Sequence, residues 1–586
     1  KNNYQILLLL KKLWYFFSKK RKIQFFIILI LMLLSGLAEM ISFTAIIPFL
    51  TVLTEPERLF ELKQFGFIYQ LLNIENETEL LIPVALLFIS TVTLAAIIKL
   101  TTIWINGRYA AAVGSEISIK SFSNNLMQPY FVHIEKNSSE IITTSTTYLN
   151  ATVLILHQTL WLLSNTIISI LILIGLLTIN FNIALTLFAV FGTAYLLLMF
   201  KVKNRLKGNS KFIALSNQKQ IKYLQEGFGS IRDIILDKSY KNFIDIYKKI
   251  DVNMRIRNAD SIFLAIYPRN ILEVVGLIFL VSIALVMYFT NQSNINNILP
   301  LLGAFALGAQ RLLPAMQQSY NSWATINAYS SEISCVIDSL NQKVLIDLEE
   351  GRKLNNKKKS NIFQNKIHFK SIGFKYKNDS PLIIENINLE IKKGEKIGII
   401  GPTGGGKSTF IDILMGLLKP TYGEILVDGV NIHSRKNIER WMKKIAHVPQ
   451  NIYLTDNSFA ENIAFGIRKD MIDFDKVKQC ANMARISSYI ESCSRGYETI
   501  VGEGGINLSG GQKQRIGIAR SLYKESELII FDEATSALDR KTEQEVMDSI
   551  RNLDKSKTIF LVAHRLSTLR FCDRILTIEK GSLKQT

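Results

Sequence analysis

Gly401-Pro402-Thr403-Gly404-Gly405-Gly406-Lys407-Ser408 follows an apolar run, Lys396–Ile400, and leads into a helical stretch, Thr409–Leu417. The octet matches G-x-x-x-x-G-K-[ST], and a strand before it with a helix after it is the context this motif requires. Glycines let the backbone curl until its N–H groups face phosphate oxygens, and the start of the helix adds a favourable dipole. Gly401, Thr403, Gly404, Gly405, Gly406, Lys407, Ser408 and Thr409 are therefore expected to bind a nucleotide. Lys407 should reach the β- and γ-phosphates, and Ser408 should hold Mg²⁺.

Further along, Leu528–Phe531 is an apolar strand that ends in Asp532, with Glu533 next. A buried strand of this kind delivers an aspartate to Mg²⁺ and places the following carboxylate to polarise a water. An apolar run ending in Asp-Glu is common, so its weight comes from its neighbours. Short apolar strands alternate with helical stretches from residue 366 to 586, as in an α/β P-loop ATPase domain.

Before this domain the composition is different. Ile23–Leu50, Leu80–Ile105, Val153–Ile179, Phe181–Phe200, Ser261–Phe289 and Ile298–Leu313 are apolar runs, and about 20 such residues cross a bilayer as a helix. The N-terminus and the segments Arg108–Lys136 and Lys201–Arg257 are rich in Lys and Arg, whereas Thr54–Glu79 is acidic. The positive-inside rule places the basic segments in the cytoplasm. This gives an all-α transmembrane domain of six spans over residues 1–345, a Lys- and Asn-rich linker over 346–365, and the ATPase domain over 366–586. Short transverse helices are expected near Met127–His133 and Asp237–Phe243, and an amphipathic helix on the outer surface over 58–74.

The net charge is +20. Much of the basic excess flanks apolar spans, as in Lys19-Lys20-Arg21-Lys22, and no nucleic-acid recognition module is present. Orientation in a membrane accounts for the charge, and nucleic acid is not an expected partner. Cys335, Cys480, Cys493 and Cys572 lack metal-ligand spacing.

Leu508-Ser509-Gly510-Gly511-Gln512 lies just before the Asp532–Glu533 pair, and with it the chain resembles the ABC transporter family. The resemblance implies that Tyr376 stacks on adenine and that Gln450 senses the γ-phosphate beside Mg²⁺. It also implies that Asp539 belongs to a dimer-facing loop and that His564 is the switch histidine. Any of these alone is more commonly structural; their order and spacing carry the reading. In such proteins ATP lies between the phosphate loop of one domain and Ser509, Gly510, Gly511 and Gln512 of a second. A domain-swapped homodimer is then expected. Gly405 stands where many relatives have Ser.

Lys99, Arg269 and Arg311, with Glu39 and Glu273, are charges inside spans, where they are costly and tend to face a bundle interior. Gly36–Met40, Ile47-Pro48-Phe49, Pro268-Arg269 and Arg311–Pro314 make the membrane half similar to PglK-like lipid-linked oligosaccharide flippases. That resemblance implies outward movement of an anionic glycolipid across a bacterial-type inner membrane, with Lys99, Arg269 and Arg311 on the substrate path. A free lipid, drug or peptide is the alternative cargo, and an ATP-gated channel the alternative of another class. An unpaired Arg269–Arg311 cluster would favour the glycolipid.

Overall fold

The computed structural model describes residues 4–54, 57, 77–290, 295–342, 363–377, 379–535, 537–563 and 565–585. It divides into two compact units, Lys1–Gln128 with Glu135–Val344, and Pro129–Ile134 with Leu345–Thr586.

The first unit is helical, which is how an apolar chain satisfies its backbone where water is absent. Its principal helices are α1 (Tyr4–Tyr15), α2 (Lys19–Thr44), α3 (Leu81–Leu126), α4 (Leu149–Ile179), α5 (Phe181–Gly229), α6 (Ile231–Asp237), α7 (Tyr240–Thr290), α8 (Ile295–Ala328) and α9 (Ser330–Leu340). Among the described residues, five helical segments are long and apolar enough to cross a membrane. α3, with 46 residues, rises roughly 69 Å at 1.5 Å per residue, about twice the hydrocarbon thickness. It must continue well past the bilayer. Between α4 and α5 the turn is a single residue: Asn180 ends one helix, and its Oδ1 accepts from Ile183 N at 3.2 Å to start the next.

Around Phe191, Phe305, Tyr320 and Leu272 lies one apolar core of this unit. Met32, Leu13, Tyr109 and Ile155 anchor a second. The short helix expected over Asp237–Phe243 is displaced. Helix α6 occupies Ile231–Asp237, Lys238 closes it in a left-handed conformation (φ 53°), and α7 starts at Tyr240. The helix expected over 58–74 lies outside the described residues, as do 346–362 of the expected linker.

The second unit holds two sheets. Strands β1 (Lys366–Phe374), β2 (Ile384–Lys392), β4 (Tyr422–Val427) and β5 (Val430–Asn431) form an antiparallel sheet in the order β2-β1-β4-β5. β3 (Lys396–Ile400), β6 (Ile445–Val448), β7 (Leu528–Asp532), β8 (Thr558–Val562), β9 (Arg574–Glu579) and β10 (Ser582–Gln585) form the other, in the order β10-β9-β3-β8-β7-β6. All its pairs are parallel except β10 with β9. β8 is buried at every position, as a parallel strand covered on both faces must be. Pro129–Ile134 belongs to this unit, and Phe131 packs on the cluster of Phe369, Phe410 and Trp441.

Candidate functional site

In an open parallel sheet, ligands bind beyond the carboxyl ends of the strands. Both phosphate-site elements sit at that edge. β3 delivers the glycine loop and β7 delivers Asp532, with β8 between them. One residue fixes their relative register: Val562 stands opposite Ile399 on β3 and opposite Asp532 on β7. Its carbonyl also accepts from Glu533 N at 3.1 Å.

The loop curls through positive φ at Gly401, Gly404 and Gly406. At Gly401 a side chain is sterically barred, because an added Cβ would lie 2.1 Å from Ile578 O. Gly405 is also crowded: its Cβ would meet Ile578 O at 2.9 Å and Pro402 O at 3.0 Å. A helix over Lys407–Leu414 follows with Gly406 as its cap. Lys407 Nζ donates back to Gly401 O (2.8 Å) and Pro402 O (3.0 Å), so its ammonium sits at the loop. Tyr376 is half-buried edge-on to Phe374, and its hydroxyl is 3.2 Å from Thr409 Oγ1.

Asp532 is partly buried. Burial first, then the neighbouring Glu533 charge, raises its carboxyl above the ordinary aspartate range, while Lys407 opposes the shift. Gln450, just after β6, donates from Nε2 to Glu533 Oε2 at 2.7 Å. Glu533 itself has φ 48°. The hydroxyl of Ser408, the amide oxygen of Gln450 and the carboxylate of Asp532, the residues expected to hold the ion, would supply hard oxygen ligands. Such a set suits Mg²⁺, which needs only one or two protein carboxylates beside substrate phosphates. A divalent cation would also relieve the Asp532–Glu533 repulsion, so the residues fit the ion.

Ser509 caps the helix Gly510–Tyr523 in a reciprocal box: Gln512 N donates to Ser509 Oγ (3.2 Å), and Ser509 N donates to Gln512 Oε1 (2.8 Å). Gly511 allows the next loop to close on this helix, because an added Cβ would lie 3.0 Å from Ala537 O. Asp539 caps the helix Arg540–Arg551 by accepting from Thr542 N at 3.0 Å, and these hydrogen bonds hold its carboxyl below its usual range. His564 lies outside the described residues.

Sequence reasoning missed two residues that tie these pieces together. Gln514 accepts from Ala537 N (3.0 Å) through its side chain, joining the Gly510–Tyr523 helix to the loop after Glu533. Glu543 accepts from Thr535 (3.0 Å), Thr568 (3.1 Å) and Arg565 (3.2 Å), tying the loop after Glu533 to the segment that begins at Arg565. Neither belongs to a short motif, since partners up to 25 residues apart meet only in the fold.

In the helical unit the cations expected inside spans are paired, and an unpaired Arg269–Arg311 cluster is not what the structure holds. Glu39, nearly fully buried on α2, pairs with both Lys99 of α3 (2.8 Å) and Arg311 of α8. Arg269 pairs with Glu273 one turn along α7 at 2.9 Å. An isolated charge between apolar helices is costly, which drives each cation to a carboxylate. The Glu39 group keeps one net positive charge; the Arg269 pair keeps none.

Fold and site together define a P-loop ATPase unit on one chain with membrane-spanning helices. Residues 384–536 match the sequence model described as "ABC transporter", and the chain carries an ATPase domain of that family. The ATP-dependent lipid A-core flippase of Pasteurella multocida is 33% identical over 312 residues, which is 53% of each protein. The leukotoxin translocation ATP-binding protein LktB of Mannheimia glucosida is 43% identical over 221 residues, 38% of this chain and 31% of that protein. The chain thus spans about half the length of these relatives or less. A bacterial Atm1-family ABC exporter with ATP bound has the same fold, with TM-score 0.76 and 21% identity over 97% of this chain and 95% of that one.

Proposed function

We propose that this chain is one half of an ATP-hydrolysing exporter of the bacterial inner membrane, with its ATPase unit in the cytoplasm. The observation that carries the reading is a phosphate loop and a capped Ser509–Gln512 helix in one unit, on a chain with long apolar helices. Two copies form a homodimer, each ATP held between Lys407 of one and Ser509 of the other. Lys407 leaves the loop carbonyls for the β- and γ-phosphates, and Tyr376 faces adenine. Ser408, Gln450 and Asp532 would hold Mg²⁺, which when bound would supply charge neutralisation at the phosphates. Glu533 orients and polarises the attacking water, Gln450 positions that carboxylate, and His564 stabilises the γ-phosphate. Asp539 lies toward the partner.

The cargo is an amphiphile with an anionic head group, moved outward. The net positive charge left around Glu39 supports this class, and a relative is named a lipid A-core flippase. A polyprenyl-pyrophosphate-linked oligosaccharide is the particular instance implied by the PglK resemblance. Lys99 and Arg311 meet the head group by exchanging Glu39 for it, while Arg269 contributes only if Glu273 releases it. The test is flipping of such a glycolipid in proteoliposomes, compared with lipid A. Movement by wild type and none by Glu533→Gln is the expected result. ATP hydrolysis with both lipids left in place would overturn the cargo class and leave the ATPase intact.

A further inference from the structure

Between α2 and α3 lies a groove of about 740 Å³ whose lining includes Arg21, Gln24, Ile28, Trp104, Arg108 and Tyr109. The two helices run in opposite directions, pairing Lys99 with Glu39 and Arg21 with Glu116, so that Arg21 and Arg108 both line the groove. Arg21 stands two residues before the apolar run that begins at Ile23, and Arg108 three residues after the run that ends at Ile105. The groove is therefore at the cytoplasmic boundary of the membrane.

Its chemistry changes along its length. Ile28 and Trp104 make one end apolar; Arg21, Gln24 and Arg108 make the other polar. The two arginines differ in what satisfies them. Arg21 Nε donates to Glu116 at 2.7 Å and its Nη1 to Gln24 at 2.7 Å, while its carbonyl accepts from Tyr109. Arg108 is exposed and lies over the Trp104 ring, 5.6 Å from its centroid. No carboxylate among the described residues pairs with it. A guanidinium over an aromatic face leaves its N–H donors free for a phosphate, which an arginine binds with two of them.

We propose that this groove binds one anionic phospholipid of the inner leaflet per chain, with the lipid phosphate on Arg108 and the glycerol and upper acyl chains along Trp104 and Ile28. Charge complementarity and the apolar-to-basic gradient at the membrane boundary select this occupant over a soluble anion, which would leave the apolar end unused. The site is separate from the Glu39 group. Arg21 and Glu39 are 18 positions apart on α2, roughly 27 Å along the axis.

Native mass spectrometry of the delipidated full chain in detergent tests this, with phosphatidylglycerol and phosphatidylcholine titrated separately. Wild type should retain one more phosphatidylglycerol than phosphatidylcholine per chain. Arg108→Gln should weaken that binding about tenfold or more, the loss of one charge-assisted contact, while Arg108→Lys keeps part of it. Arg255→Gln, at a surface pair far along α7, should change nothing. As a second measurement, phosphatidylglycerol brominated in its acyl chains should quench fluorescence in wild type more than in Trp104→Phe. Equal retention of the two lipids, or unchanged retention in a folded Arg108→Gln, would overturn the proposal.

Discussion

Glu39 is the residue on which the helical unit's electrostatics turn. Its side chain is 3% exposed, against 46% for Lys99 and 34% for Arg311, so the carboxylate is more deeply enclosed than either cation. Removing its charge leaves two cations facing each other between apolar helices. Breaking a fully buried pair costs about 3–5 kcal/mol; partial exposure of both cations lowers that here. Glu39→Gln should therefore reduce the melting temperature by a few degrees and lower it further at low salt, as scanning fluorimetry at two ionic strengths would read. A melting curve indistinguishable from wild type would mean that the ion pairs contribute nothing to stability.

At the scale of elements, two helices begin with the same device and differ in what else the device touches. Ser458 and Glu461 form a reciprocal cap on the helix Phe459–Ile463, as Ser509 and Gln512 do on theirs. Loss of a serine cap costs about 1 kcal/mol. Ser458→Ala and Ser509→Ala should lose similar stability in thermal unfolding, but only Ser509→Ala should lose ATP hydrolysis. Equal hydrolysis in both would reduce Ser509 to a cap. Helix α9 carries a pH-sensitive element. Glu332 is buried, accepts from Ser210 at 3.1 Å, and has its other oxygen without a partner. Burial pushes its carboxyl up to about 7 from an ordinary 4.5, against the lowering effect of its hydrogen bonds. The folded state then binds this proton more tightly than the unfolded state, so stability is greatest below 4.5 and declines as pH rises toward 7. Glu332→Gln should flatten the change in melting temperature between pH 5 and 7.5; an unaltered slope would exclude Glu332 as its source.

For the whole molecule, the shared-site reading makes a prediction that no single-chain enzyme meets. Lys407→Ala and Ser509→Ala each disable both sites of a homodimer. A mixed dimer keeps one site, built from the intact loop of one chain and the intact cap of the other. Co-expressed variants should recover phosphate release that neither has alone, and no recovery would refute the sharing. The sequence made the phosphate loop, the strand before Asp532 and the order of the motifs legible because each is local: a few consecutive residues impose backbone shape and chemistry together. The pairing of Lys99 and Arg311 with Glu39 was not legible, since it joins residues up to 272 positions apart and charge alone does not say who meets whom. Gln514 and Glu543 were hidden for the same reason. The start of α6 at Ile231 was missed because the periodicity of Ile231–Phe243 is helical throughout, and only the left-handed Lys238 divides it.

Glu533 occupies a left-handed backbone conformation that a residue with a Cβ adopts at a cost of roughly 1–2 kcal/mol. Asparagine or glycine would rest there more comfortably. A laboratory search for heat-resistant variants, scored on folding alone, would be drawn to that position. With Glu533 in its proposed role of polarising the attacking water, it would return hardier proteins that take up nucleotide and never turn it over. On that proposed role, durability and turnover compete at one peptide unit.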